Sequence, residues 1–197
     1  MLISLGNLTG KVTGVLHVGA HDCEELPLYH SWGLTDDRVI WIDANPESKA
    51  PYCHAISNQD GERRMFHISN NDGQSSSLLP LGTHQEEHPD VSYVRSIEVE
   101  TMTLDTFFNT YRLDPKQYNF WNLDIQGAEG LALKGGKRAL QHVQWVYLEV
   151  NQKELYKGCA LLPEIDLFLE AAGFIRVQTL FTSHGWGDAL YERVRVN

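Results

Sequence analysis

The chain has 197 residues, 42% of them hydrophobic and 21% charged, a balance that suits one globular domain over residues 1–197 with a sizeable core. Its net charge of −10, with no basic cluster longer than a pair such as Arg63-Arg64, argues against nucleic acid as a partner, because a phosphate backbone calls for a positive field. No apolar run approaches the roughly 18 residues a membrane span needs, the start MLISLGNLTGKVTG lacks the form of a signal peptide, and three cysteines without a CxxC pair (Cys23, Cys53, Cys159) fit a reducing, cytoplasmic setting rather than a disulfide framework or a structural zinc.

In chain order, GVLHVGA (14–20) reads as a buried strand. CEELPLYHSWG follows as a helix, Glu-rich in its first turn and stopped at Gly33. RVIWIDAN (38–45) is a second strand, apolar until Asp43, after which Asn45-Pro46-Glu47 opens a short helix. YCHAIS (52–57) and RRMFHIS (63–69) read as strands either side of a turn at NQDGE. Residues 70–96 show little periodicity, and a loop that long in a compact domain is usually functional or disordered. SIEVETM is then a strand, TLDTFFNTYR a helix capped by Thr103, YNFWNLDI (118–125) a strand, GAEGLALKGGKRAL a helix and VQWVYLEVN (143–151) a strand. LPEIDLFLEAAGF has helical spacing, and FIRVQTLF with WGDALYERVRV reads as a closing antiparallel pair.

Strands alternating with helices predict an α/β fold, a mostly parallel sheet with helices on both faces. Ligands of such sheets bind at the carboxyl ends of the strands. His21-Asp22, Asp43, Asp124, Glu149 and Asn151 all fall at such ends. The crowd of His17, His21, Asp22, Glu24 and Glu25 poses a choice between a metal site and a cofactor turn. Convergent ligands are what a metal needs, and a strand that alternates its faces separates His17 from His21. Gly19-Ala20 is a small-residue turn that lets a ligand approach the backbone. Asp43, 24 residues beyond Gly19, stands where an acid holds a ribose diol, although it also suits a cap of the short helix at Asn45-Pro46-Glu47. The acids Asp22, Glu24 and Glu25 and the lack of GxGxxG disfavour pyrophosphate and suit a ligand carrying positive charge, such as S-adenosylmethionine.

The stretches VLHVGAHDCEELPLY, VIWIDANPE, AISNQDG, SSSLLPL, TLDTF, LDIQGAEGLALKGG and YLEVN, in that order over roughly residues 15–190, resemble the FkbM-type S-adenosylmethionine-dependent methyltransferases. The unit Asp124-Ile-Gln-Gly127-Ala-Glu129 is the most specific, with Gln126 in place of the usual acid, and the turn reads GAH rather than the commoner GAN. The resemblance implies a class I methyltransferase fold (Rossmann-like), O-methyl transfer and a sugar or glycan hydroxyl as acceptor, with a lipid or small natural product next.

On that reading the cofactor is held by His17, Gly19, Ala20, His21, Glu25, Asp43, Ala44 and Asp124, with Ala55, Ile56 and Ser57 flanking the adenine and Ser76 closing over it. The acceptor faces Tyr29, four residues after Glu25 on one helix side, and Ser75, His84, His88, Gln126, Asn151 and Trp186. Asp124 and Glu149 are the catalytic candidates: Asp124 as base or positioning group, or both with Asn151 around Mg2+. GWGDALY reads as an acceptor wall or as a turn. A nicotinamide- or nucleotide-sugar-dependent enzyme and a binding module without chemistry remain as alternatives, and a homodimer or an associated glycosyltransferase as partners.

Overall fold

The structure, a computed structural model, describes Ile3 and residues 5–194; the end of the final strand expected through residue 196 lies outside them. Among the described residues a seven-stranded sheet forms from β1 (Val15–Val18), β2 (Val39–Asp43), β3 (Tyr52–Cys53), β7 (Phe120–Leu123), β8 (Trp145–Asn151), β9 (Phe174–Phe181) and β10 (Trp186–Arg193). Its order is β3-β2-β1-β7-β8-β10-β9. The first five of those strands run parallel, and β10 pairs antiparallel with both β8 and β9. The strand order reverses between β1 and β7, which opens a crevice above their carboxyl ends. Beside this sheet, β4 (Ala55–Ile56), β5 (Arg63–Ser69) and β6 (Tyr93–Met102) form a small sheet in the order β4-β6-β5.

Alternation along the strands builds two cores. Leu16, Val18, Ile40, Ile42, Trp121, Leu123, Val146 and Leu148 face α3 (Leu104–Thr110), α4 (Glu129–Gly135) and α5 (Leu162–Ala171). Val15, Trp41, Phe120, Trp145 and Tyr147 face α1 (Leu26–Ser31) and the N-terminal segment through Leu5, Leu8 and Val12. Each such fully buried large side chain contributes about 1.5–3 kcal/mol, and together they fix the strand ends that carry the polar residues. Thr103 caps α3, its hydroxyl accepting from the Thr106 amide at 3.1 Å.

Several expectations are corrected. Residues Asn45-Pro46-Glu47 form a turn rather than a helix, because the Asn45 carboxamide oxygen accepts from the Glu47 amide (3.1 Å) and closes the chain locally. The helix after β1 begins only at Leu26, so Glu24 and Glu25 precede it rather than charging its first turn. The strand expected over 52–57 breaks at His54 into β3 and β4, which join different sheets. The long segment 70–96 is no plain loop: it carries α2 (His84–Glu87) and the start of β6. The helix after β7 shortens to α4, followed by a 3-10 turn at Ala139–His142.

Candidate active site

The floor of the crevice is set by the turn after β1. Gly19 has φ +88, and a Cβ there would lie 1.7 Å from the Asp124 carbonyl oxygen, so only glycine lets the ends of β1 and β7 meet this closely. His21, with φ 44, follows in the left-handed region that a side chain adopts at a cost. Its amide donates to Asp43 Oδ2 at 2.7 Å, and the Asn45 amide donates to Asp43 Oδ1 at 2.7 Å. Asp43 thus ties the turn after β1 to the turn after β2. Burial pushes its carboxyl above the usual range, against the pull of those two backbone donors. His21 also spans outward, with Nδ1 3.0 Å from Glu24 Oε1 and Nε2 2.8 Å from the Asp72 carbonyl oxygen. Burial alone would lower its pKa; the bonds to Asp72 and Glu24 outweigh it and raise the pKa.

The turn after β7 is equally built. Glu129 accepts from the Ile125 amide (2.9 Å) and the Gly127 amide (3.2 Å), and burial first, then the charge of Asp124, raises its carboxyl to about 8. Gln126 takes φ 54, and its carbonyl oxygen accepts from the Ser77 hydroxyl at 2.7 Å. The Gln126 carboxamide nitrogen lies 2.7 Å from Asp124 Oδ1 and 3.2 Å from Glu149 Oε2, and its oxygen accepts from the Tyr156 hydroxyl. Glu149 pairs across the sheet with Asp188, which accepts from the Tyr147 hydroxyl. Asp124 is exposed to the cleft, more open than its place after an apolar strand suggests. Desolvation by the surrounding walls, then the charge of Asp188, raises its carboxyl above the ordinary range. Glu149 is buried, and desolvation followed by the charge of Asp124 holds it far above that range.

These groups open into a cleft of ≈ 540 Å3. It meets a narrow inner arm of ≈ 50 Å3 at Gly19, His21, Gln74, Asp124 and Gln126. Glu25, Ser75, His84, His88, Glu149 and Trp186 line the broad part. Asp43, Ala44, Ala55, Ile56 and Ser76 line the arm, with Phe66, Leu78 and Ala128 adding apolar surface. The serine run is a built wall rather than a solvated linker: Ser75, Ser76 and Ser77 are buried, and Ser76 Oγ accepts from the Ser69 amide at 3.2 Å. His84, His88 and His184 pack in sequence with tilted rings, their centroids 4.9 Å and 4.8 Å apart. Burial, then His88, lowers the His84 pKa to about 4, and its buried Nδ1 has no hydrogen-bond partner.

Five expected site residues do not reach this cleft. His17 and Tyr29 lie beneath it, 1% and 0% exposed, with the Tyr29 hydroxyl 3.1 Å from His17 Nδ1 and 3.0 Å from the Asn122 amide nitrogen that donates to it. Burial holds His17 down to about 3, so it is neutral, and its alternation onto the α1 face explains why it points away from the ligand side. The buried Ala20 packs in that same core. Ser57 is fully buried, its amide bonded to the Met102 carbonyl at 3.0 Å. Asn151 is buried behind Glu149, its amide nitrogen 3.5 Å from Glu149 Oε1. No group of three or more His, Cys, Asp or Glu among the described residues is arranged to hold a metal ion. Tyr156, Gln74 and Asn71 line the cleft without having been expected there, and Asp188, from the stretch read as an acceptor wall or a turn, lines it too. The only signal for Asp188 was an acid inside the otherwise apolar run WGDALY, which proves to be strand β10.

The profile of the Methyltransferase FkbM domain family matches residues 17–176. A curated relative, 2-O-methyltransferase NoeI of Sinorhizobium fredii, is 36% identical over 126 residues, 57% of this chain and 51% of that protein. The chain therefore spans about half the length of that relative. Among solved structures, magnesium protoporphyrin IX methyltransferase from Synechocystis PCC 6803 with bound SAM is 11% identical, with a TM-score of 0.39 over 91% of this chain and 69% of that one. A SAM dependent methyltransferase from Aquifex aeolicus is 14% identical, with a TM-score of 0.41 over 92% and 82% of the two chains. Both structural likenesses are distant.

Proposed function

The chain belongs to the FkbM methyltransferase family, and on that premise we propose that it forms a single catalytic unit that transfers the methyl group of S-adenosylmethionine to a hydroxyl of a sugar or glycan. The observation that carries the reading is the join between the Gly19 turn and the Asp43 carboxylate, opening on one side to an apolar arm and on the other to Asp124 and Glu149. The donor set fits the cofactor. Gly19 lines both parts of the cleft, Asp43 keeps free lone pairs for a ribose diol beside its two backbone bonds, and Ala44, Ala55, Ile56 and Ser76 offer a mainly apolar slot for a base. Glu25 and Asp124 supply negative charge for an ammonium group. The narrow arm must widen to admit the base.

When bound, S-adenosylmethionine supplies an electrophilic methyl carbon on a sulfonium, and its loss leaves a neutral thioether. The chain's own residues align and deprotonate the acceptor. Asp124, exposed to the cleft with a raised pKa, takes the hydroxyl proton as the oxygen bonds to the methyl carbon. Glu149, pushed higher by burial, stays protonated longer and orients the acceptor beside Asp124. Ser75, His84, His88 and Trp186 form the acceptor wall, and much of the rate comes from holding oxygen, carbon and leaving sulfur in line. Transfer to oxygen follows the name of the curated relative, a 2-O-methyltransferase, and the sugar class rests on a cleft rich in groups that pair with hydroxyls. The test is methyl transfer from labelled S-adenosylmethionine to a panel of neutral methyl glycosides, read by mass spectrometry. A singly O-methylated glycoside supports the reading; methylation confined to lipid or phenolic acceptors in a parallel panel overturns the sugar class.

A further inference from the structure

Asp124 and Glu149 open into one cleft, and something must fix their side chains relative to each other. Between Asp124 and Glu149 stands the side chain of Gln126. Its nitrogen is 2.7 Å from one carboxylate and 3.2 Å from the other, and the two amide hydrogens suffice for both bonds. The opposite orientation would set the amide oxygen against two acids and leave the Tyr156 hydroxyl facing an N–H, so the chemistry fixes which end points where. The backbone is committed to this placement as well. Gln126 sits at φ 54, its carbonyl is held by Ser77 (2.7 Å), and the amides on both sides of it are held by Glu129 (2.9 and 3.2 Å).

We propose that Gln126 is a positioning residue of the methyl-transfer site: its carboxamide stands where a divalent cation would otherwise bridge Asp124 and Glu149, and it keeps the pair aimed into the cleft without a metal. Resting on the reading of this cleft as the transfer site, the inference assigns the neutral amide two tasks. It donates to the acids, favouring the ionised form of Asp124 that takes the acceptor proton. It also fills the space between them and so denies a cation its bridging position.

The experiment uses the full chain stripped with EDTA and compares wild type, Asp124→Asn, Gln126→Glu and Gln126→Glu/Asp124→Asn by thermal unfolding with and without Mn2+. Glutamate has the same shape, so the turn is kept, but it supplies a third carboxylate where the amide donors stood. Gln126→Glu is expected to gain Mn2+ binding, raising its midpoint by roughly 3–6 °C at ten times the dissociation constant. Wild type and the double variant are expected not to respond. A wild-type response abolished by Asp124→Asn would overturn the proposal, because the acids would then already hold a cation. No response from a folded Gln126→Glu would overturn it too, because the amide would then not occupy a cation's place. S-adenosylhomocysteine binding to wild type is measured alongside. Its absence would sink the methyltransferase reading, while the Mn2+ arms still report on Gln126.

Discussion

Gly19 and Asp124 meet where two parallel strands end, so closely that a methyl group on Gly19 would stand 1.7 Å from the Asp124 carbonyl oxygen. One contact therefore sets both the backbone floor of the cofactor side and the position of the proposed base. Gly19→Ala must part β1 from β7 and also hold a side chain at φ +88, which alone costs about 1 kcal/mol or more. It is expected to lower the urea midpoint clearly and to abolish S-adenosylhomocysteine binding by calorimetry, even under conditions where the variant stays folded.

Asp43 serves the fold as well as the proposed ribose contact. Its carboxylate accepts two backbone amides at 2.7 Å each. The alanine variant should thus lose about 1–3 kcal/mol of stability and at least about tenfold in cofactor affinity. Asp43→Asn keeps one acceptor oxygen and should fall between the two. Equal cofactor affinity in wild type and a folded Asp43→Ala would remove the ribose assignment.

His17 makes stability depend on acid. Its pKa is about 3 when folded and near 6.5 when unfolded, so between those values the unfolded chain binds more protons. Stability present above pH 6.5 is lost as pH falls toward 3, at about 1.4 kcal/mol per unit at most. Equilibrium unfolding from pH 7 to 4 should show this slope, and His17→Gln should flatten it. An unchanged slope in that variant would mean that other groups carry the acid sensitivity.

Asp124→Asn should cut turnover by about 100-fold or more with a smaller change in S-adenosylhomocysteine affinity. Burial and Asp188 raise the Asp124 pKa, so the acidic limb of the wild-type rate profile should lie above the usual carboxylate range and vanish in the variant. Turnover within a few-fold of wild type would move the base elsewhere, with His84, neutral and unpartnered at the rim, the first alternative.

Much of the sheet was legible because buried parallel strands read as largely apolar runs with an acid at or near the carboxyl end: Asp43 in Val39–Asp43, Asp124 just past Phe120–Leu123 and Glu149 in Trp145–Asn151. What failed was local. Asn45 closes a turn with its own side chain where Pro46 suggested a helix, a competition between two local bonds that no periodicity reveals. The candidate site was legible at the turns after β1, β2 and β7, where Gly19, Asp43 and Asp124 face the cleft. His17 and Tyr29 were misplaced because face assignment depends on which core each strand face meets, and that is settled by α1 packing on β1. Tyr156 was missed because a long-range bond to Gln126 leaves no mark in the nearby sequence.

The most direct test of the central claim is titration calorimetry of the folded chain with S-adenosylhomocysteine, repeated on Gly19→Ala. The account predicts one site per chain with a dissociation constant on the order of micromolar, about −8 kcal/mol, lost in the variant. No binding to wild type, above all if NAD instead raised its thermal midpoint, would contradict it.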